Sequence, residues 1–249
     1  MSRYFMEVAY KGTHYSGFQK QENANTVQAE IEKAFLLLHK NEIALTGSSR
    51  TDAGVHALQN FFHFDYNEPI HDQFLYKMNA ILPADIVIVN IEKVQDDAHC
   101  RFDATGRVYR YCLYQTKNPF LRDCAYYFPY KLDIEKLNDA AQLIMQYHDF
   151  TSFSKRNTQV KSFLCDIQQS EWQQEDQLLV YRVKANRFLR GMVRGLTGTM
   201  LKVGRKKISL ENFKQIVEGM NASKADFAVP AHGLFLTKVE FPESILGVR

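Results

Sequence analysis

Arg107-Val108-Tyr109-Arg110-Tyr111-Cys112-Leu113-Tyr114 alternates in side-chain character along its length and is rich in aromatic residues. That composition and period predict a strand. The material before it makes one round of elements. Tyr4 to Tyr10 predicts a strand, and Asn25 or Thr26 caps a helix with Val27, Ile31, Ala34, Phe35 and Leu38 at helical spacing. Asn60 to Tyr66 predicts a strand, Asp72 to Leu82 a short helix stopped by Pro83, and Ile86 to Ile91 a buried strand. The material after it makes a second round. Asp133 opens a helix, Leu178 to Val183 predicts a strand, and a long helix runs from about Phe188 to Val203. Ser209 caps a further helix and Leu234 to Phe241 predicts the last strand. Strands and helices interleave, and several strand pairs have no helix between them. The expected class is α+β with largely antiparallel sheet, in two similar halves, 1–105 and 106–249.

Composition sets the class. Of 249 residues, 45% are hydrophobic and 24% charged, so a sizeable core can form. A net charge of +3 is too small to identify a polyanionic partner by itself, so the local distribution of charge has to decide. No apolar run approaches the ~18 residues that cross a membrane, and the first residues lack the apolar core of a signal peptide. The four cysteines, Cys100, Cys112, Cys124 and Cys165, have neither paired nor zinc-ligand spacing. Reduced thiols in a cytoplasm are the expectation. Neither a P-loop, a GxGxxG fingerprint nor an HExxH helix occurs, and the scattered histidines predict no metal site.

Gly47-Ser48-Ser49-Arg50-Thr51-Asp52-Ala53-Gly54-Val55-His56-Ala57 is small and polar between apolar runs, hence a loop joining buried elements. Small neighbours let a ligand approach the Asp52 carboxylate closely, while Arg50, Thr51 and His56 surround it with donors. By composition alone the same residues also make an ordinary turn, with Asp52 capping a short helix. His56 is expected to brace the loop rather than act as a base.

Arg50-Thr51-Asp52-Ala53-Gly54-Val55-His56 resembles the signature of the tRNA pseudouridine synthase A family. Other stretches are similar to family motifs at matching intervals: Tyr10-Lys11-Gly12-Thr13 through Tyr15-Ser16-Gly17-Phe18-Gln19, Thr26-Val27-Gln28, His99 to Thr105 followed by Tyr109-Arg110-Tyr111, Phe150-Thr151-Ser152-Phe153, the residues Asn186, Phe188, Met192, Val193, Arg194, Gly198 and Gly204, and Gly233 to Leu236. The resemblance spans almost the whole chain. Phe18 stands where the family often has tryptophan, Ser49 where it often has glycine and Cys100 where alanine is common; the first two departures bear on tRNA contacts.

The resemblance implies ferredoxin-like halves with joined sheets and a central cleft, and a homodimer. The implied substrate is the tRNA anticodon arm, with uridines at positions 38, 39 and 40 isomerised to pseudouridine. It assigns Asp52 as the catalytic residue, Tyr109 as the active-site tyrosine and Arg50 as the residue that holds or replaces the flipped nucleotide. Breaking N1–C1′, rejoining through C5 and losing the C5 proton gains no atom, so no cofactor is required. A carboxylate suits such a step as nucleophile or base. An ionised Asp52 in a closed site needs a cation, for which Arg194 is the candidate. Tyr109 could stack on the uracil and assist removal of the C5 proton. Tyr111, two residues on, shares its face in a strand, and composition does not choose between them.

From Gln177 to Leu210 the chain has no acid but nine cations. On the expected helix Arg187, Arg190 and Arg194 fall in one sector opposite Phe188, Met192, Leu196 and Val203, which predicts a cationic face for phosphates. Noncatalytic RNA binding and a carboxylate-based glycosidase are the alternatives. The glycosidase needs a second carboxylate within ~5–9.5 Å, and none stands out near Asp52. No DNA or membrane partner is expected.

Overall fold

The computed structural model describes residues 1–67, 69–155 and 160–246. They form nine strands and five α-helices, a mixed α+β fold whose strand pairs are mostly antiparallel. The chain divides into two compact units, residues 1–105 with the segment from Phe235 onward, and Gly106–Leu234.

In the first unit, β1 (Ser2–Tyr10) lies between β3 (His56–Tyr66) and β4 (Ile86–Lys93), antiparallel to both. The short β2 (Thr46–Gly47) pairs with the far side of β3. With α1 (Val27–His39) and α2 (Asp72–Ile81) between strands, the chain order is β1-α1-β2-β3-α2-β4 and the spatial order β4-β1-β3-β2. This is the split β-α-β arrangement. Thr26 caps α1 by accepting the Ala29 N–H. Val27, Ile31, Ala34 and Phe35 of α1 are buried, and Phe35 packs on Phe64 and Phe74. β9 (Leu234–Glu240) adds to β3 in parallel, His56 opposite Phe235 and Ala57 opposite Leu236. Thr105 N–H also donates to Glu240 O. These bonds place the last strand with the first unit, whereas the sequence reading ran the second half to 249.

The second unit contains β5 (Gly106–Tyr114), β8 (Leu178–Ala185) and β7 (Ile167–Glu175) as consecutive antiparallel neighbours. The two-residue β6 (Tyr126–Tyr127) runs parallel to β5. α3 (Ile134–Leu143) is capped by Asp133, and α5 (Leu210–Glu218) by a Ser209–Asn212 capping box. Trp172 stacks on Tyr181 and donates its indole N–H to Met200 of α4 (Met192–Gly204), tying the sheet to the central helix.

The structure adds one strand and corrects one helix. β7 was not foreseen, because its Gln168, Gln169, Gln173 and Gln174 give no apolar signal; only Ile167, Ser170 and Trp172 are buried, around a register shift at Ile167/Gln169. The long helix begins at Met192 rather than near Phe188, because Gly191 adopts the left-handed region (φ 74°) and ends the preceding turn. Arg187 and Arg190 therefore lie on a loop, and the helical sector they were expected to share with Arg194 does not exist. Nor is α4 amphipathic in the expected sense: most of it is buried, with Arg194 and Lys202 its partly accessible side chains.

Candidate active site

Asp52 sits half-exposed in the turn between β2 and β3, and almost everything beneath it is tied to the segment that follows β1. Thr51 O accepts the Phe18 N–H, Gly54 N–H donates to Tyr15 O, and Val55 N–H closes the turn on Asp52 O. The backbone of Gly12 passes so close that a Cβ there would lie 2.0 Å from Val55 O, which only glycine permits. Gly12 N–H donates to His56 Nδ1 at 3.0 Å, placing that ring's proton on Nε2. His56 thus braces the loop as expected, but as an acceptor on its Nδ1 side, and its ring packs on Phe235.

A buried polar chain fixes the residue before the acid. Asn60 Nδ2 donates to Ser49 O (2.8 Å) and to the Tyr10 hydroxyl (3.3 Å), and the Tyr10 hydroxyl meets Thr51 Oγ1 at 2.8 Å. Tyr10, Thr51 and Asn60 are all buried. The Tyr15 hydroxyl donates to Asp85. The Tyr10-to-Phe18 motif is thus the platform for the Asp52 turn. Phe18 itself is buried, stacked on Phe62 with ring centroids 4.3 Å apart and on Tyr10. Ser49 is buried as well. Phe18 therefore packs beneath the turn, and Ser49 offers little surface. Arg50, two residues before the acid, is exposed and makes no ion pair among the described residues.

Cys100 is buried in the turn after β4, its Sγ 3.3 Å from His63 Nδ1 and 3.1 Å from Thr46 O. Burial, with the nearby His99 and Arg3 charges, pushes the His63 pKa down to about 4. All four cysteines are free thiols.

In the second unit the two tyrosines that composition does not distinguish are both buried but have different partners. Tyr111 is fully buried, its hydroxyl donates to Pro230 O at 2.8 Å, and burial raises its pKa. Tyr109, on the same strand face, packs edge-to-face on Phe188, centroids 5.0 Å apart. Arg194 stands in the first turn of α4; its Nε donates to Val229 O at 2.9 Å and its Nη2 to Phe227 O at 3.4 Å. The 226–229 segment lies directly on the helix: a Cβ on Gly198 would come within 2.3 Å of Asp226 O. Two main-chain acceptors thus aim the guanidinium. Arg187 is half-buried and Arg190 exposed on the loop entering α4, where Arg190 O accepts the Lys155 N–H. Phe150-Thr151-Ser152-Phe153 is a buried 3-10 turn whose Ser152 hydroxyl accepts the Asn221 N–H, a packing role.

The acid-free stretch is not uncompensated. Arg182 pairs with Glu175 at 2.7 Å, Lys202 with Asp226 at 3.0 Å and Lys206 with Asp133 at 3.2 Å, all acids from outside it.

The family described as tRNA pseudouridine synthase matches residues 6–103 and 140–242, which include Arg50, Asp52, Arg187, Arg190 and Arg194. The chain belongs to that family. Tyr109 lies between the two matched segments. The chain is 43% identical, across the whole of both chains, to the tRNA pseudouridine synthase A of Parabacteroides distasonis. It is 44% identical to that of Bacteroides fragilis over 98% of each chain. To that of Staphylococcus aureus it is 40% identical over 98% of this chain and 92% of the relative. No helix among the described residues is long and apolar enough to cross a membrane.

Proposed function

We propose that this chain isomerises uridine to pseudouridine in tRNA, at positions 38, 39 and 40 of the anticodon stem and loop, with Asp52 as catalytic nucleophile. The observation that carries the reading is an aspartate on a turn fixed by buried hydrogen bonds, with an exposed arginine two residues before it, in a chain that matches tRNA pseudouridine synthases from end to end.

The reaction breaks N1–C1′ and forms C5–C1′; C5 loses a proton and N1 ends with one, so the atoms balance with no cofactor. Asp52 supplies the carboxylate that divides the exchange into two easier steps. Arg194, its guanidinium held by Val229 O and Phe227 O, is the cation assigned to the reaction. Tyr109 stacks on the uracil and assists loss of the C5 proton. A paired uridine must leave its stack, at a cost of roughly a few kcal/mol. Arg50, planar and exposed, takes the vacated place or the flipped phosphate. Arg187 and Arg190 contact backbone phosphates from the loop before α4. The working protein is a cytoplasmic homodimer in this proposal.

The test is to incubate the protein with uridine-labelled tRNA and digest the product to nucleosides. Wild type is expected to yield pseudouridine, and Asp52→Asn to yield unchanged uridine while still binding tRNA. Near-wild-type pseudouridine from Asp52→Asn would overturn the role of Asp52; free uracil from wild type would indicate a glycosidase.

A further inference from the structure

The Arg205-Lys206-Lys207 run takes no part in the proposed chemistry. It forms the turn between α4 and α5, which Lys206 makes with a left-handed backbone (φ 58°) and which the Lys206→Val203 and Lys207→Lys202 main-chain bonds close. This turn and the first turn of α3 enclose an open cavity of about 350 Å³, floored by Val203 and walled by Lys136, Lys206 and Lys207, with Asp139 as its one acid. Lys206 is engaged by Asp133, but through one carboxylate oxygen; the other accepts the Lys136 N–H. Lys136 and Lys207 have no carboxylate within ion-pair distance among the described residues, and both are exposed. On the same turn, the Arg205 guanidinium carbon lies over the Tyr130 ring, 3.7 Å from its centroid. That contact fixes the guanidinium and leaves an aromatic and cationic pair at the surface beside the cavity.

We propose that this cavity is a phosphate subsite for the tRNA backbone, distinct from the Asp52 and Arg194 chemistry and resting on the tRNA reading above. With Lys206 paired to Asp133, Lys136 and Lys207 stand against Asp139, an excess of positive charge that an RNA phosphate would neutralise. Its floor residue Val203 lies nine residues beyond Arg194 along α4, a rise of roughly 13.5 Å. An RNA strand whose target uridine is near Arg194 has phosphates at that range several nucleotides away, so the subsite reads position and not sequence.

The test compares wild type, Lys136→Gln/Lys207→Gln and Lys136→Arg/Lys207→Arg, first checked for equal thermal unfolding. The glutamine pair is expected to bind tRNA about 5- to 10-fold more weakly near 0.1 M salt, to lower the slope of log Kd against log salt by about one per lost contact, and to leave kcat at saturating tRNA unchanged. The arginine pair is expected to restore affinity. Unchanged affinity and slope in the glutamine pair, with wild type still making pseudouridine, would overturn the subsite alone; no pseudouridine from wild type would instead overturn the underlying tRNA reading. A separate arm titrates inorganic phosphate into wild type at constant ionic strength. Submillimolar phosphate binding that the glutamine pair loses, with tRNA affinity unchanged, would assign the cavity to a small phosphate and overturn the backbone assignment.

Discussion

At the scale of single residues, the Asp52 turn shows how a short motif becomes rigid. The Tyr10 hydroxyl is the middle of a buried chain from Asn60 to Thr51. A buried hydroxyl left without its partner costs ~1–3 kcal/mol. Tyr10→Phe is therefore expected to lower stability by about that amount in urea unfolding. It should also lower kcat more than it changes KM for tRNA, because Thr51, next to the acid, loses its anchor. A KM effect with unchanged kcat would place Tyr10 in binding instead. Asp52, Arg50 and the glycines around them were legible in sequence. Tyr10 and Thr51 were legible only as motif letters and Asn60 only as a strand residue, because the Tyr10–Thr51 bond joins residues 41 apart.

At the scale of elements, caps and turns followed local chemistry, and the errors came where local chemistry was overruled. Thr26, Asp133 and Ser209 all cap as their side chains dictate. The start of α4 did not follow its apolar period, since Gly191 takes a conformation that L side chains adopt at a cost of ~1–2 kcal/mol. Gly191→Ala is expected to destabilise the protein by about that amount, and a Cβ there also presses on the Lys155 chain. Chemical unfolding measures it; an unchanged midpoint would mean that the 186–191 loop readily relaxes. β7 was invisible for the opposite reason: its glutamine-rich sequence is a strand because β8 supplies partners along its length.

At the scale of the whole molecule, the clearest pH dependence comes from His63. Burial beside His99 and Arg3 lowers its folded pKa to about 4 from an ordinary 6.5, so the unfolded chain binds the proton more readily. Its contribution is fully present above pH ~6.5 and is lost as pH falls toward 4, with a magnitude of up to about 3 kcal/mol. Urea unfolding between pH 7 and pH 4 is expected to show that loss, and His63→Asn to flatten it. An identical slope in His63→Asn would assign the acid sensitivity to other groups.

The sequence by itself determined the class of fold, most helix caps and the acid-centred motif, because these depend on neighbours within a few residues and on periodicity. Only the tertiary structure decided that the last strand joins the first unit, that Tyr111 is spent on Pro230 while Tyr109 packs on Phe188, and that Arg187 and Arg190 leave the helix. It also decided how the cations of the acid-free stretch are distributed: distant Glu175, Asp226 and Asp133 fold back to pair with Arg182, Lys202 and Lys206. The physical reason is that strand partnership, burial and charge compensation are set by groups far apart in the chain, whose meeting no local pattern encodes.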